Sequence, residues 1–570
     1  MTKGDTGMVL VAGIPCKGVA GGPTRGWYHR TAPAPVPSVP EMGRRAGPAE
    51  DRGAHMSIRR LAVFFLVLGS LSLLLLFYLS PRVTPYWDDD SAPYIEAARN
   101  LKAGDGLTTW PYTYEDDGAA LDALRPLDCF PPVFPVLIYI ATLTGVSAED
   151  AATWIPRVSF LFLPLCFYLV LRRVIGDGAA IAAAVFSGLQ AATVFYSLLA
   201  MSDVPFLLFA LLAFLALFRA LDGGSAPYAA AAGIASGLAL GMRNAGAALP
   251  AGIVLGWMLG RAAGLAGPRS GVRVLLPYAA GLALSYAPVV LRNVAVFGTP
   301  QPYAMPPSER GLGEIGVELL RGIDGSLFGG VLRLRTVAAL IVLVLAVSVV
   351  LLLRKGASER LRDEHPHRAG AGLVLLSYGF VGIALLVAME ATYRIDPIDG
   401  RFLLPYLWVF VGWIALLGSL AVRRARAASR AAGSIALGIC LALPFLPQYF
   451  ALREYAGLMA WTRDMIRRHE AILPLVENFP EETCLVAVEG PKLRLLFHRP
   501  VLQLVEVSPE ELREMARRAE PDRELVLILR DDPDPAYRDW RGVFEGAVPD
   551  GYRELGRHED IAVLALDRAH

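Results

Sequence analysis

The feature that most restricts this chain is a recurrence of continuous apolar runs. Each is about 20 residues long, enough to cross a hydrocarbon layer of ~30 Å as a helix. A surface helix of a soluble domain keeps one polar face, and these runs keep none. Candidate spans are 61–80, 155–173, 179–199, 203–221, 228–242, 245–263, 272–293, 336–354, 371–391, 402–421 and 432–450. Hydrophobic residues make up 54% of the chain and charged residues 19%, a balance outside the usual soluble range. The expected fold class is an all-α polytopic membrane protein with about 11 transmembrane helices.

The apolar stretch 130–146 does not fit that series. It opens with Pro131-Pro132, has Pro135 in its first turns, and offers only roughly 14–16 usable residues, which suits a re-entrant or interfacial segment. The positive-inside rule agrees. Arg59-Arg60 place the N-terminus in the cytoplasm. If 130–146 does not cross, then Arg172-Arg173, Arg261, Arg269, Arg273, Arg354-Lys355, Arg360, Arg362, Arg368, Arg423, Arg424, Arg426 and Arg430 all fall inside as well. If it does cross, those later clusters face outward. The outer face then carries the loop from residue 81, the turn Met201-Ser202-Asp203, the loop 295–335, the turn 392–401 and the tail.

Three regions are expected. Residues 1–56 are rich in Gly, Pro and Arg without apolar period and read as disordered; Met56, followed by Ser57-Ile58-Arg59-Arg60 and an apolar run, reads as the start of the folded part. Residues 57–450 hold the membrane domain. Residues 451–570 read as a small extracytoplasmic α/β domain, with strands at Leu485–Val488 and Leu525–Leu529. A helix between them begins with a capping box at Ser508, Pro509 and Glu511. The five cysteines, Cys16, Cys129, Cys166, Cys440 and Cys484, make no close-spaced pair, which argues against zinc and against a disulfide framework. A Cys129–Cys484 bridge is open to the chain, but unpaired thiols are the expected reading. The formal net charge of +1 gives no basis for a nucleic-acid partner.

The first external loop concentrates the chemistry. It reads Tyr86-Trp87-Asp88-Asp89-Asp90-Ser91-Ala92-Pro93-Tyr94, and a short amphipathic helix over 91–103 follows. Tyr94, Ile95, Ala98 and Leu101 share a face that can lie on the bilayer surface. A solvated N-cap is the plain reading of an Asp at this place. One cap uses one side chain, however, and three consecutive carboxylates exceed that need. An ionised carboxylate here could serve as a general base.

The run Asp89-Asp90-Ser91-x-x-Tyr94-Ile95-x-x-Ala98-Arg99-Asn100-Leu101-x-x-Gly104-x-Gly106 resembles the first external loop of the GT-C glycosyltransferases, specifically the PMT/ArnT-like bacterial group. Pro131-Pro132-x-Phe134-Pro135, Trp154-Ile155-Pro156-Arg157, the turn Ala200-Met201-Ser202-Asp203-Val204-Pro205 and Asp399-Gly400-Arg401-Phe402-Leu403-Leu404-Pro405 are similar to later elements of the same group, in the same order. The resemblance covers roughly residues 58–450. It implies a GT-C-like fold and transfer of a sugar from a polyprenyl-phosphate carrier to an acceptor on the outer face. It also implies that the essential loop acid is Asp90, with Asp89 as the rival register, and that the turn acid is Asp203. The chain departs from the pattern with three Asp where Glu often occurs, with Phe402 for Tyr, and with no basic residue after the Pro-Pro element.

A lipid phosphate leaves as a stable anion, so the site needs cations more than a strong acid. Arginine suits that role, and Arg401, Arg394 and Arg243 are the candidates. Arg401 could instead tie its own turn through Asp399 or Asp396, Arg243 could snorkel to headgroups, and Asp203 could cap a helix with Ser202. In the expected reaction Asp90 or Asp89 deprotonates the acceptor, which displaces polyprenyl phosphate with inversion. Tyr303, Met305 and Pro306-Pro307 in the loop 295–335 close over the site, and Tyr94 stands on the acceptor side. No cofactor is firmly expected, although Asp89, Asp90 and Asp203 could hold a divalent ion. Expected partners are the lipid-linked sugar, an envelope glycan, lipid or protein acceptor, and membrane lipid. A transporter or flippase of a lipid-linked saccharide is the alternative; it should carry ionisable groups at mid-bilayer in broken helices.

Overall fold

A computed structural model describes residues 89–111, 124–264, 271–302, 307–328, 330, 332–339, 366–393, 398–480, 483–487, 490–503, 524–530, 552–558 and 561–566. The expectations for residues 1–56, the span 61–80, most of the span 336–354, Tyr303, Met305, Pro306, Arg394 and the capping box at Ser508 lie outside the described residues.

The described residues begin with α1 (Ser91–Ala103), β1 (Thr108–Thr109), β2 (Arg125–Pro126) and α2 (Val133–Thr142). α2 has 10 residues, so it is too short to cross a membrane, as the stretch 130–146 suggested. There follow α3 (Ala148–Ile175), α4 (Asp177–Leu189), α5 (Ala191–Leu198), α6 (Asp203–Gly223), α7 (Ala226–Met242), a 3-10 turn (Asn244–Ala247), α8 (Ala248–Ala262), α9 (Val272–Phe297), α10 (Leu312–Phe328), α11 (Pro366–Thr392), α12 (Gly400–Ala428) and α13 (Arg430–Ala471). Among the described residues, 6 helices are long and apolar enough to cross a membrane. They are Ala148–Ile175, Asp203–Gly223, Asn244–Ala262, Arg273–Phe297, Arg368–Thr392 and Gly400–Ser419.

The expected span 179–199 is two helices, α4 and α5, bent by 46° at Gln190. A break in an apolar segment exposes backbone polar groups that must be bonded internally. Buried Gln448 does this, and buried Gln190 ties the bend to α10. Gln190 Nε2 donates to Ser326 O at 2.8 Å, and Gln448 Oε1 accepts from Ala191 N at 2.7 Å. Gln448 Nε2 also donates to Ser326 O at 2.9 Å. α10, which periodicity did not reveal inside the loop 295–335, is thereby joined to the bend. α7 and α9 run close together because Gly233 presents no side chain; a Cβ there would stand 2.0 Å from Tyr278 O.

α13 continues without interruption from residue 430 through 471 into the C-terminal part. There, the described residues form α14 (Leu473–Val476), β3 (Cys484–Ala487), α15 (Gly490–Phe497), β4 (Val501–Gln503), β5 (Leu525–Arg530), β6 (Tyr552–His558) and β7 (Ile561–Leu566). The five-stranded sheet has the order β4-β3-β5-β7-β6. β3 is parallel to β4 and β5, and β7 is antiparallel to β5 and β6. Alternation decides the faces. Leu485, Ala487, Val526, Ile528, Val563 and Ala565 pack with Leu493 and Phe497 of α15, while Val486, Leu502, Leu527 and Leu564 form a second cluster. Cys129 and Cys166 are free thiols.

Candidate functional site

α1 starts at the end of the acidic run. Pro93 is accepted in its first turn, where no intrahelical N–H is needed. Gly104 ends it at φ +98, a left-handed conformation that favours glycine. Asp90 occupies the N-cap position but makes no side-chain capping bond. Its carboxylate is instead ion-paired with the Arg401 guanidinium. The helix face expected at the bilayer surface is not there. Ala92, Tyr94, Ile95 and Ala98 are buried against Phe134 and Ile138 of α2, Ala148, Ala151 and Ala152 of α3, and Leu495 of α15. The sequence carries the apolar stripe but cannot say whether lipid or protein covers it.

Asp203 opens α6 and is 2% exposed. The turn is also enclosed by protein: Ala200, Met201 and Ser202 are fully buried. Ser202 makes no capping bond. Asp203 pairs with Arg243, at the junction between α7 and the 3-10 turn, and its Oδ1 lies 3.5 Å from Arg401 Nε. Arg243 thus points into the protein and not to headgroups. Arg401 joins the two acids, reaching Asp90 with one guanidinium nitrogen and Asp203 with another. The turn around it is held by other means, since Asp399 Oδ1 accepts from the backbone N–H groups of Arg401 at 2.8 Å and Phe402 at 3.4 Å. The first turns of α1, α6 and α12 converge here, and their positive dipole ends favour anionic groups.

Tyr94 is 1% exposed. Its ring packs against Phe130 at 4.7 Å and edge-on to Phe134 at 5.0 Å, and its hydroxyl lies 3.2 Å from Ser202 Oγ. Burial pushes the pKa of this hydroxyl up, against the opposing pull of Arg243, so it stays protonated at neutral pH. This makes Tyr94 a fixed strut between α1 and the Asp203 turn, in place of a lid or a surface for the acceptor.

What the C-terminal part contributes was not visible in its sequence. The Nζ of Lys492, in the first turn of α15, lies 3.4 Å from Asp89 Oδ1. Arg494 is buried, with Nη1 at 3.5 Å from Glu96 Oε2 on α1. It donates to Val501 O at 2.6 Å, to Trp110 O at 3.3 Å and to Pro111 O. Glu96 Oε2 also accepts from Thr109 Oγ1 at 2.6 Å. The only forewarning was a Lys and an Arg, two residues apart, in the apolar run Gly490-Pro491-Lys492-Leu493-Arg494-Leu495-Leu496-Phe497. At the far side of the loop before α10, Arg310 pairs with Glu318 at 2.9 Å and with fully buried Glu390. Among the described residues no cluster of metal-ligating side chains is found.

Residues 130–290 match the family model described as dolichyl-phosphate-mannose-protein mannosyltransferase. The match includes Asp203 and Arg243. Among solved structures, ArnT from Cupriavidus metallidurans bound to undecaprenyl phosphate superposes with a TM-score of 0.53 at 13% identity, covering 89% of this chain and 98% of that one. The archaeal oligosaccharyltransferase AglB from Archaeoglobus fulgidus, in complex with an inhibitory peptide and a dolichol-phosphate, gives 0.51 at 14% identity, covering 83% and 69%. At these identities the likeness is one of fold. No curated protein sequence matches the chain.

Proposed function

We propose that the chain is a membrane glycosyltransferase of the GT-C, PMT/ArnT-like kind and that it moves a sugar from a polyprenyl-phosphate donor to an acceptor on the outer face of the cytoplasmic membrane, with inversion at the anomeric carbon. The observation that carries this reading is the chain of charges Asp90–Arg401–Asp203–Arg243. It combines a partly open carboxylate with two arginines held in place by a buried one.

In this reading Asp90 takes the proton of an acceptor hydroxyl or amine. The acceptor atom bonds to the anomeric carbon as the bond from that carbon to the phosphate oxygen breaks, and the electron pair leaves on the polyprenyl phosphate. Arg401 receives that charge on one side of Asp90, with Arg243 behind it. Preorganised cations in a site of restricted water access stabilise developing anionic charge strongly. Arg394 and Tyr303 are further candidates for the phosphate and for the cover of the site. The structural neighbours' polyprenyl-phosphate and peptide ligands support a lipid-linked donor and an envelope acceptor.

The charges favour transfer over transport. They cluster where helices begin, at one end of α1, α6 and α12, and not along the middle of a span. The test is to express the protein in membranes with a panel of radiolabelled polyprenyl-phosphate sugars and compare wild type with Asp90→Asn and Asp89→Asn. Transfer of label that Asp90→Asn abolishes, in folded protein, supports the reading. Movement of label across the bilayer without transfer, or two silent substitutions, would shift support to the flippase.

A further inference from the structure

The contact between the C-terminal sheet domain and α1 has two cations with different surroundings. Arg494 has a side chain only 1% exposed. Through Glu96 and the carbonyls of Val501, Trp110 and Pro111 it joins α15 to α1 and to the chain leading away from β1. Arg99 adds a contact from α1 to His498 at 3.4 Å. Those bonds hold the sheet domain against α1. Lys492 points elsewhere, to Asp89, the residue next to the proposed base.

The placement of Lys492 is costly in two ways. Its side chain is 9% exposed, and an ammonium loses hydration when it is covered. The turn that carries it also requires a glycine: a Cβ on Gly490 would stand 2.6 Å from Leu502 O, so α15 begins directly against β4. This constrained turn brings the Lys492 ammonium to the Asp89 carboxylate. Adjacent ionised carboxylates repel each other, and a nearby cation relieves this. Here each has its own: Arg401 from the membrane domain on Asp90, and Lys492 from the sheet domain on Asp89.

We propose that Lys492 is a positioning residue for the transfer reaction, which fixes Asp89 and through it the direction of Asp90, so that the C-terminal domain completes the active site. The inference rests on the transferase reading above. It also gives the two neighbouring acids different roles, with Asp90 meeting the acceptor and Asp89 anchoring the segment that carries Asp90.

The experiment compares wild type, Lys492→Met, Lys492→Arg, Asp89→Asn and the double variant Asp89→Asn/Lys492→Met in the full-length membrane protein. It measures kcat, donor KM and the thermal midpoint, with Arg494→Met as the docking control. Loss of a charge-assisted contact sets the scale, so Lys492→Met should lower kcat roughly 10- to 100-fold and leave donor KM within about twofold. Its midpoint should stay near that of wild type, while Arg494→Met lowers the midpoint. Lys492→Arg should recover most of the rate, because it keeps the charge. In the Asp89→Asn background, Lys492→Met should cost little more, because residues acting as a unit are not additive. A fully active Lys492→Met, a rate loss that follows the midpoint, or equal losses in both backgrounds would overturn the proposal. An inactive wild type would instead refute the transferase reading itself.

Discussion

Asp90 and Asp203 begin two helices, and both meet Arg401, yet their surroundings differ. The side chain of Asp90 is 23% exposed and that of Asp203 is 2% exposed. A carboxylate that must take a proton from an incoming acceptor has to be reachable. One that holds two arginines in place is better enclosed, where weak screening makes its attraction to them stronger. In the proposed reaction, these two similar acidic turns divide into a reacting group and an organising group, and burial is what distinguishes them.

The sharpest way to break this comparison is Asp90→Asn. The amide cannot accept the acceptor's proton, so transfer should fall by roughly 10²–10⁴-fold, the usual range for a lost general base. The thermal midpoint should move far less than for Asp203→Ala, since Asp90 caps nothing and Arg401 keeps its buried partner Asp203. An equal loss of midpoint would make Asp90 an organiser like Asp203. Asp203→Ala should do the reverse in kind: it leaves Arg243 and Arg401 without their buried partner, a change that costs about 3–5 kcal/mol of stability. Denaturation of the purified protein in detergent measures it. A stability matching wild type would show that the arginines do not depend on Asp203.

Arg401→Lys comes next in size. A lysine keeps the charge but has no fork with which to face two carboxylates at once. Transfer should fall roughly 10- to 100-fold, in line with the loss of one charge-assisted contact. A variant with wild-type rate would mean that charge alone, and not the bridging geometry, is what the site needs.

The membrane helices and the acid–arginine set were legible in the sequence for a common reason. Apolar runs and short ordered motifs are local signals, and Asp90, Asp203, Arg243 and Arg401 each stand at the end of a helix that such runs define. What was not legible is partnership across the chain. The helix stripe that carries Tyr94 fits lipid and protein equally, and its partner Ser202 is 108 positions away. Nothing near Lys492 and Arg494 has a motif; their value comes from partners nearly four hundred positions earlier, as the Arg494–Pro111 separation of 383 shows. The bend at Gln190 was invisible because the amide that compensates it, Gln448, arrives from α13.

A third acid gives the smallest effect and the finest control on the comparison. Asp399 stands directly before α12 and does what the N-cap reading expected of Asp90, accepting from the backbone N–H groups of Arg401 and Phe402. Its side chain thus acts on the same helix start whose guanidinium reaches Asp90. Asp399→Ala should cost about 1 kcal/mol of stability, the ordinary value of a lost cap. Asp399→Asn should cost little, because an amide oxygen caps equally well. Transfer by the Asn variant should stay close to wild type, in contrast to Asp90→Asn, where the same exchange of carboxylate for amide removes the base. If Asp399→Asn instead loses transfer as heavily as Asp90→Asn, then the charge of Asp399 takes part in the reaction, and an acid seen to cap a helix would have to be counted with the reacting group.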